Sequence, residues 1–286
     1  MSVVANNLGW LVGMTIGDGY LDNRHIEIYN SSPIILAEVV KTISILKFPK
    51  NRIKVDIYSL NADKQKWSII LRLPQENISL RKNSSPWNAN AEKVRIRISS
   101  KEIASKFQEI WKNIESLDTK DKIAFIRGLF DAEASVDVNN RIEFKQVASD
   151  KGIKVVSIIY KLLNEFKIEC TSPKNKHDKK KTDIYFYVKD LNKFAKKIGF
   201  VDTEKEKKLT SIIDASKSKK IPSVEEIIKL LEVRPYTSFE IIKSLKCPYH
   251  RIQKILKLLI SENKVVGKRI GRQIFYSCLR NNGESI

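Results

Sequence analysis

The chain has 286 residues, 42% of them hydrophobic and 30% charged, and its formal net charge is +20. This balance excludes a disordered polymer and supports two or three packed domains. Nucleic acid is the polyanion that so basic a protein most commonly binds.

Several other classes of protein are disfavoured. Cys170, Cys247 and Cys278 are widely spaced and form no CxxC pair, so we expect neither a disulfide framework nor a zinc ribbon. The N-terminus lacks a basic segment followed by a long apolar run, so we expect no signal peptide. The apolar runs are too short for a membrane span, and no amphipathic terminal anchor supports binding to an anionic membrane. We therefore expect a cytoplasmic protein without a membrane partner.

The first half of the chain alternates helical and extended patterns. Ser32 and Pro33 supply a helix cap and a first-turn proline, and Ser100 caps a later helix. The stretch 74–90, rich in Pro, Asn and Ser, predicts a loop. The apolar spacing predicts helices at 8–19, 34–46 and 100–114 and strands at 25–29, 54–58, 67–72 and 94–98.

The next part repeats this order after a polar hinge at 116–120. A basic loop at 174–181 is predicted between two of its strands. The predicted helices are 121–132, 153–166 and 190–199, and the predicted strands are 141–145, 170–173 and 184–188. We interpret the two parts as an internal duplication of roughly one hundred residues.

The last part has a different pattern. Residues 203–221 are charged and rich in Ser and Lys, which predicts a linker. Helices are predicted at 224–231, 241–245 and 248–263, the second opened by a capping box of Thr237 and Glu240. A basic hairpin at 265–276 follows, and this order is typical of a winged helix-turn-helix. The predicted divisions are 1–118, 119–202, the linker 203–221, and 222–286.

One nine-residue stretch occurs twice, at 11–19 and 126–134. Its glycines, Gly13 and Gly128, and its acids, Asp18 and Glu133, are each separated by 115 positions. We interpret the copies as two packed helices that present a pair of carboxylates at one end. The alternative is that each acid only solvates a helix end or pairs with a lysine. The matched positions favour a shared site.

The duplicated stretch, within a basic repeated chain, resembles the motif of the LAGLIDADG family of homing endonucleases, and the resemblance covers about residues 5–200. It implies an α+β fold, a pseudo-twofold core of two αββαββα units whose four-stranded antiparallel sheets form a saddle for the DNA major groove. It also implies close helix packing through small residues, here Gly13, Gly17, Gly128 and Ala132.

The resemblance further implies catalytic residues. Asp18 and Glu133 match the positions that coordinate a divalent metal, so Mg²⁺ or another divalent cation is the expected cofactor. Asn30, Lys145 and Gln146 are candidates for positioning water and phosphate, although an ordinary strand end is an equal explanation for the last two. The first half offers only Ser31 and Ser32 where a lysine would help, and Ala134 replaces the final glycine of the motif.

Basic residues define candidate DNA contacts. Each group has an ordinary alternative, namely a solvated sheet face, a solubilising loop or a protein-binding module. The saddle set is Lys54, Lys66, Arg72, Arg95 and Arg97; the loop set is Lys174, Lys176, Lys179, Lys180 and Lys181; the winged-domain set is His250, Arg251, Lys254, Lys257, Lys268, Arg269 and Arg272.

These features together predict a metal-dependent, site-specific double-strand DNA endonuclease that acts as a monomer. The alternative is a non-cleaving regulator of the same fold, or a splicing maturase whose partner is intron RNA. No splicing junction flanks the chain, so we expect a free-standing or intron-encoded protein. The recognition sequence depends on side-chain geometry and DNA shape, which the sequence does not give.

Overall fold

Two units with the same order of elements build the first 200 residues. The computed structural model describes residues 7–59, 62–81, 92–178, 181–270 and 273–279. The first unit consists of α1 (Asn7–Asp18), β1 (Gly19–Leu21), β2 (His25–Asn30), α2 (Pro33–Ile45), β3 (Ile53–Tyr58), α3 (Lys64–Leu71), β4 (Ile78–Leu80), β5 (Lys93–Ser99) and α4 (Lys101–Lys112). Its sheet has the order β1-β2-β5-β3-β4, antiparallel except for the parallel pair β3 and β4.

The second unit repeats this plan. It consists of α5 (Thr119–Glu133), β6 (Ala134–Asp137), β7 (Arg141–Val147), α6 (Asp150–Glu165), β8 (Lys174–Asp178), β9 (Lys181–Val188) and α7 (Leu191–Lys197). Its antiparallel sheet has the order β6-β7-β9-β8, which corresponds strand by strand to β1-β2-β5-β3. The predicted duplicated α+β fold is therefore confirmed. Short 3₁₀ helices lie at Lys50–Arg52, Gln75–Asn77 and Ile114–Ser116.

Local sequence explains these elements. Ser32 accepts a hydrogen bond from the Ile35 amide and Pro33 occupies the first turn, so α2 begins where the sequence predicts. Strand β5 alternates buried Val94, Ile96 and Ile98 with more exposed basic residues. Because successive side chains of a strand point to opposite faces, one sheet face joins the core and the other is polar.

The two motif helices, α1 and α5, pack closely because glycines lie at their crossing. A Cβ on Gly13 would lie 2.2 Å from the Phe125 carbonyl oxygen, and one on Gly128 would lie 2.1 Å from the Trp10 carbonyl oxygen. Both distances are far shorter than any real Cβ contact, so only glycine allows this backbone approach. Ala132, another predicted packing residue, faces Gly17 across the same interface, since a Cβ on Gly17 would lie 2.7 Å from the Ala132 Cβ.

The prediction of a strand at 67–72 is wrong, because this segment belongs to helix α3. Asp63 caps the helix by accepting hydrogen bonds from the amides of Gln65 and Lys66. Trp67 and Leu71, four residues apart, form its buried side. Two of the apolar residues that predicted a strand are therefore the buried side of a short helix.

Three other predictions about strands and loops need correction. The predicted loop 74–90 contains β4, which gives the first sheet five strands, and residues 82–90 of it lie outside the described part. The predicted strand 170–173 contributes a single bridge from Cys170 to Val188. The predicted basic loop 174–181 is mostly paired, because β8 and β9 extend through it.

The predicted linker at 203–221 is largely helical. Helix α8 (Thr203–Lys217) is capped by Asp202 and buries Leu209, Ile212 and Ile213 in the core of the two units. Its Ala215 joins the second core, which belongs to the C-terminal domain. Charged residues cover the remaining faces, which is why the segment looks like a connector in the sequence.

The C-terminal domain follows the predicted order of a winged helix-turn-helix. It consists of α9 (Val224–Val233), β10 (Tyr236–Thr237), α10 (Ser238–Leu245), α11 (Tyr249–Ser261), β11 (Val265–Ile270) and β12 (Gln273–Cys278). The capping box of Thr237 and Glu240 is confirmed at the start of α10. β10 is an additional strand that pairs with β12. No helix in the described part of the chain is long and apolar enough to cross a membrane.

Candidate active site

The two matched acids lie side by side. Asp18 is the last residue of α1 and Glu133 is the last residue of α5. The Cγ of Glu133 lies 3.2 Å from the position of a Cβ on Gly17, the residue before Asp18. Both carboxyl groups line one cavity of about 620 Å³ between the units. The glycine-mediated helix packing thus brings together residues that are 115 positions apart in the chain.

The surroundings disfavour two negative charges. Burial, and after it the charge of Glu133, raises the pKa of Asp18 to about 7, while Lys205, Lys93 and the Asn30 amide act in the opposite direction. Burial likewise raises the pKa of the Glu133 carboxyl, against the effects of Gln146 and nearby lysines. A cation that binds nearby stabilises the ionised form of such a carboxyl group.

The predicted neighbours of the acids lie around the cavity. Asn30 Nδ2 donates a hydrogen bond to Asp18 Oδ2 over 3.3 Å. Lys145 lines the cavity and its Nζ is 3.5 Å from Asp183 Oδ2. Gln146 is close enough to Glu133 to lower its pKa, but its buried Nε2 reaches no acceptor at full hydrogen-bond geometry within the described residues. Ser31 and Ser32 also line the cavity.

Two lysines of the cavity were missed by the sequence reasoning. Lys93, at the start of β5, supplies a positive charge to the first half, where only serines were expected. The pairing of Val94 with Asn30 places it there, and a correct alignment of β2 with β5 would have found it. Lys205 comes from α8, in the predicted linker. Its Nζ donates to the carbonyl oxygens of Phe130, at 3.1 Å, and Asp131, at 2.6 Å.

Asp131 anchors the end of the second unit. Its carboxylate accepts hydrogen bonds from Trp10 Nε1 at 2.8 Å and from the amides of Val201 and Asp202 at 3.0 Å. Burial raises the pKa of Asp131 to about 6 despite these donors. The residue at the matched position of the first unit is the buried Ile16. Asp131 therefore joins α1, α5 and the start of α8 at a single point, a role that the sequence motif did not reveal.

The donor set is compatible with a divalent cation. Asp18 and Glu133 supply two carboxylates, and Mg²⁺ commonly takes one or two carboxylates together with water and substrate phosphate. No cluster of three or more His, Cys, Asp or Glu side chains that could hold a metal occurs among the residues that the structure describes. A cation here would accordingly depend on water or phosphate for its remaining ligands.

The sheet face of the first unit carries arginines in ion pairs. Arg95 contacts both Asp56 and Glu27, and Arg97 contacts Glu27 through Nε at 2.6 Å. Arg97 is the more accessible of the two, with 38% of its side chain exposed against 16% for Arg95. Lys54 is exposed on the neighbouring strand and pairs with Arg97 in the sheet register. The predicted basic face therefore exists, but its own acids neutralise much of its charge.

Two predicted saddle residues lie elsewhere. Lys66 is on helix α3, and Arg72 is the residue that ends this helix, with a φ of 52°. Arg72 borders a groove formed with α2. Because α2 packs on the core face of the sheet, this groove is on the opposite side from Arg95 and Arg97. The error has the same origin as the wrong prediction of a strand at 67–72.

The sheet of the second unit presents lysines on its polar face. Lys174 pairs with Tyr185, which in turn pairs with Lys145, so these three side chains share one face. Lys174 and Lys176 are exposed and lie on β8, in a strand where a loop was predicted. Lys179 and Lys180 lie outside the described residues, as does the side chain of Lys181.

The basic residues of the C-terminal domain divide into two groups. On α11, the side chains of His250, Lys254 and Lys257 are exposed. Arg251 is instead turned toward residues 218–220, where its Nη1 donates to the Lys220 carbonyl oxygen at 2.6 Å, which makes it a packing residue of the domain junction. Exposed residues of β11 include Lys268 and Arg269, and Arg272 lies outside the described residues.

Comparisons with known proteins find one matching family model and several similar solved structures. Residues 120–199 match the model of the LAGLIDADG-like domain. No curated protein matches the chain.

Solved structures of similar fold include mesophilic variants of the homing endonuclease I-DmoI, with 17% identity, 67% of this chain and 94% of that chain covered, and a TM-score of 0.44. I-DmoI in complex with DNA and Ca is 16% identical over 67% of this chain and 88% of that chain, with a TM-score of 0.45. Full-length DUF199/WhiA from Thermatoga maritima is 16% identical over 90% of each chain, with a TM-score of 0.42. The residues that match the model of the LAGLIDADG-like domain, 120–199, cover nearly the whole second unit, from α5 to α7.

Proposed function

We propose that the protein is a metal-dependent endonuclease that hydrolyses phosphodiester bonds in double-stranded DNA. The observation that carries this proposal is the meeting of Asp18 and Glu133, one from each unit, in a single cavity at the ends of two packed helices. The net charge of +20 favours a polyanionic substrate.

Each residue of the cavity has a part in this proposal. The carboxylates of Asp18 and Glu133 would hold a divalent cation, and Asn30 orients Asp18 through its hydrogen bond. Lys93 of the first unit and Lys145 of the second supply positive charge to the cavity, where a phosphate could be bound. When bound, the cation would polarise the scissile phosphate and lower the pKa of the attacking water. One acid in each pseudo-symmetric unit can serve one DNA strand, which would give a double-strand break.

The DNA would lie across the polar faces of the two sheets. Among the described residues of these faces, Lys54, Lys174 and Lys176 are exposed and Arg97 is half-exposed, so these four would contact the DNA. Helix α11 of the C-terminal domain would enter a major groove through Lys254 and Lys257, and the β11 residues Lys268 and Arg269 would contact the backbone. Each contact with a phosphate would add to the salt dependence of binding.

A cleavage experiment tests the proposal. The intact protein is incubated with a randomised library of long duplexes in Mg²⁺, over a range of salt concentrations and temperatures. Asp18→Asn and Glu133→Gln are expected to reduce cleavage by about a hundredfold or more, on the order of 3 kcal/mol in activation free energy. Glu38→Gln, which changes an acid on the surface of α2, is the control and is expected to leave cleavage unchanged.

The second candidate function is a DNA-binding regulator, or an RNA-binding splicing factor, that does not cleave. The observation in its favour is Lys205, whose positive charge acts on both acids from within the cavity. Tight DNA binding by the natural protein without cuts under any of these conditions would favour this candidate over the endonuclease.

A further inference from the structure

Hydrogen bonds hold both the backbone amide and the ammonium group of Lys205. Asp202 caps α8 by accepting hydrogen bonds from the amides of Glu204, at 2.9 Å, and Lys205, at 3.3 Å. The ammonium of Lys205 donates to the carbonyl oxygens of Phe130 and Asp131, near the end of α5. The last carbonyls of a helix lack partners within the helix and attract cations. Lys205 therefore stays beside the acids even when no other cation is present.

The charge of Lys205 acts on the same two carboxylates as the expected metal. All three side chains line one cavity, and the ammonium lies at the carboxyl end of α5, the helix that ends at Glu133. The charge of the ammonium also lowers the pKa of both acids, against the effect of their burial. Asp131, which is also nearby, already accepts hydrogen bonds from Trp10 and from two amides of the chain. Burial lowers the pKa of Lys205, and the charges of four carboxylates oppose this effect, Asp131 and Asp202 before Asp18 and Glu133. The ammonium therefore balances the acid pair as well as Asp131 and Asp202.

We infer that Lys205 is a positioning residue of the proposed active site, whose ammonium competes with a divalent cation for the pair Asp18 and Glu133. In the absence of the cation the lysine stabilises the paired carboxylates. When the cation enters, the two positive charges repel, so the lysine weakens cation binding. This inference rests on the proposed function only in taking the acid pair as the cation site.

Calcium binding to the intact, DNA-free protein tests the inference. Calorimetric titration at pH 8.5 would compare the natural protein with Lys205→Met, Lys205→Arg and the control Lys207→Met. Lys207 lies on the same helix, 73% exposed and paired with Glu204, so its replacement makes the same change in net charge away from the cavity. We expect Lys205→Met to bind Ca²⁺ about tenfold more tightly, and the other two variants to bind like the natural protein. Unchanged or weaker binding by Lys205→Met would overturn the inference, because competition requires that removal of the charge strengthen the site. Loss of a purely structural residue would not strengthen it.

A thermodynamic cycle decides the matter if none of these proteins binds Ca²⁺. Urea unfolding would measure the effect of Lys205→Met in the natural background and in Asp18→Asn/Glu133→Gln. If the ammonium stabilises the acids, the shift of the midpoint is smaller in the second background. Additive shifts would refute the competition. Absence of Ca²⁺ binding together with a coupled cycle would remove support for the metal-dependent function while leaving the role of Lys205 intact.

Discussion

The two units share one topology, yet they surround their acids differently. In the first unit Asp18 has Asn30, two serines and Lys93 as polar neighbours. In the second unit Glu133 lies near Gln146 and Lys145, and Lys205 enters from α8. The helix interface follows the pseudo-twofold symmetry, whereas the side chains that act on the carboxylates do not.

The difference originates in the segment that leaves the end of each unit. After α4 the chain passes through a short 3₁₀ helix directly into α5. After α7 it turns at Val201 and Asp202, where both amides donate to Asp131, and continues as α8. The matched position in the first unit, Ile16, makes no such anchor and is simply buried. Asp131 thus anchors the segment that brings Lys205 into the cavity, whereas Ile16 at the matched position only packs in the core.

The symmetry of the helix interface can be tested by substituting its two glycines. We expect Gly13→Ala and Gly128→Ala to destabilise the protein by similar amounts, about 3 kcal/mol or more each, because each added Cβ meets backbone oxygen at 2.1–2.2 Å. Urea unfolding measures both values.

Gly267→Ala is the control for these two changes. Its added Cβ would approach only the side chains of Ile274 and Tyr276, at 3.3 and 3.4 Å, and Gly267 has the negative φ of an ordinary strand residue. Its effect is expected to stay below about 1 kcal/mol. A large loss at Gly13 with none at Gly128 would show that the two helices do not contribute equally to the interface.

The chemistry of the acids predicts a gain in stability on removal of a charge. The folded pKa of Asp18, about 7, is above its ordinary value of 3.8, so ionisation is harder in the folded protein. The resulting destabilisation is absent below about pH 4, grows as the pH rises toward 7, and is complete above that. Asp18→Asn is therefore expected to be more stable than the natural protein at pH 8, on the order of 2 kcal/mol after allowance for solvent screening, and equal to it near pH 4.

Unfolding in EDTA at pH 4, 6 and 8 measures this difference. Asp22→Asn is the matched control, because Asp22 lies outside the cavity and the amides of Arg24 and His25 lower the pKa of its carboxyl group. Its loss is therefore expected to reduce stability at pH 8. A difference between Asp18→Asn and the natural protein that does not change with pH would show that the two charges at the helix ends do not oppose folding.

The sequence predicted the symmetric features better than the asymmetric ones. Gly13 and Gly128 stand at matched positions, so the paired helices and the pair of acids followed from local spacing. Lys205 could not be predicted in the same way, because its hydrogen-bond acceptors belong to residues 130 and 131 and the contact depends on the turn after α7. Helix α8 was mistaken for a linker because its buried residues, Leu209, Ile212 and Ile213, stand among many charged ones. Periodicity of three to four residues was the available signal.

The polar faces of the two sheets allow the finest test of the difference between units. Arg95 is largely enclosed by Asp56 and Glu27, whereas Lys174 and Lys176 on β8 are exposed. We expect Lys174→Gln/Lys176→Gln to lower the slope of log Kobs against log salt for DNA binding by about two, roughly one per phosphate contact. Arg95→Gln is expected to change this slope by less than about 0.5 and to destabilise the fold instead, since it removes one ion-pair partner from each of two buried carboxylates, Asp56 and Glu27.

Lys41→Gln/Lys161→Gln removes the same charge from helices on the other side of the sheets and is the control. If it lowers the slope as much as the β8 pair, the DNA responds only to net charge. If Arg95→Gln lowers the slope as much as the β8 pair, the first unit contributes an equal share of phosphate contacts. The two sheets would then bind DNA symmetrically, and the asymmetry of the protein would be confined to the acids and the α8 lysine.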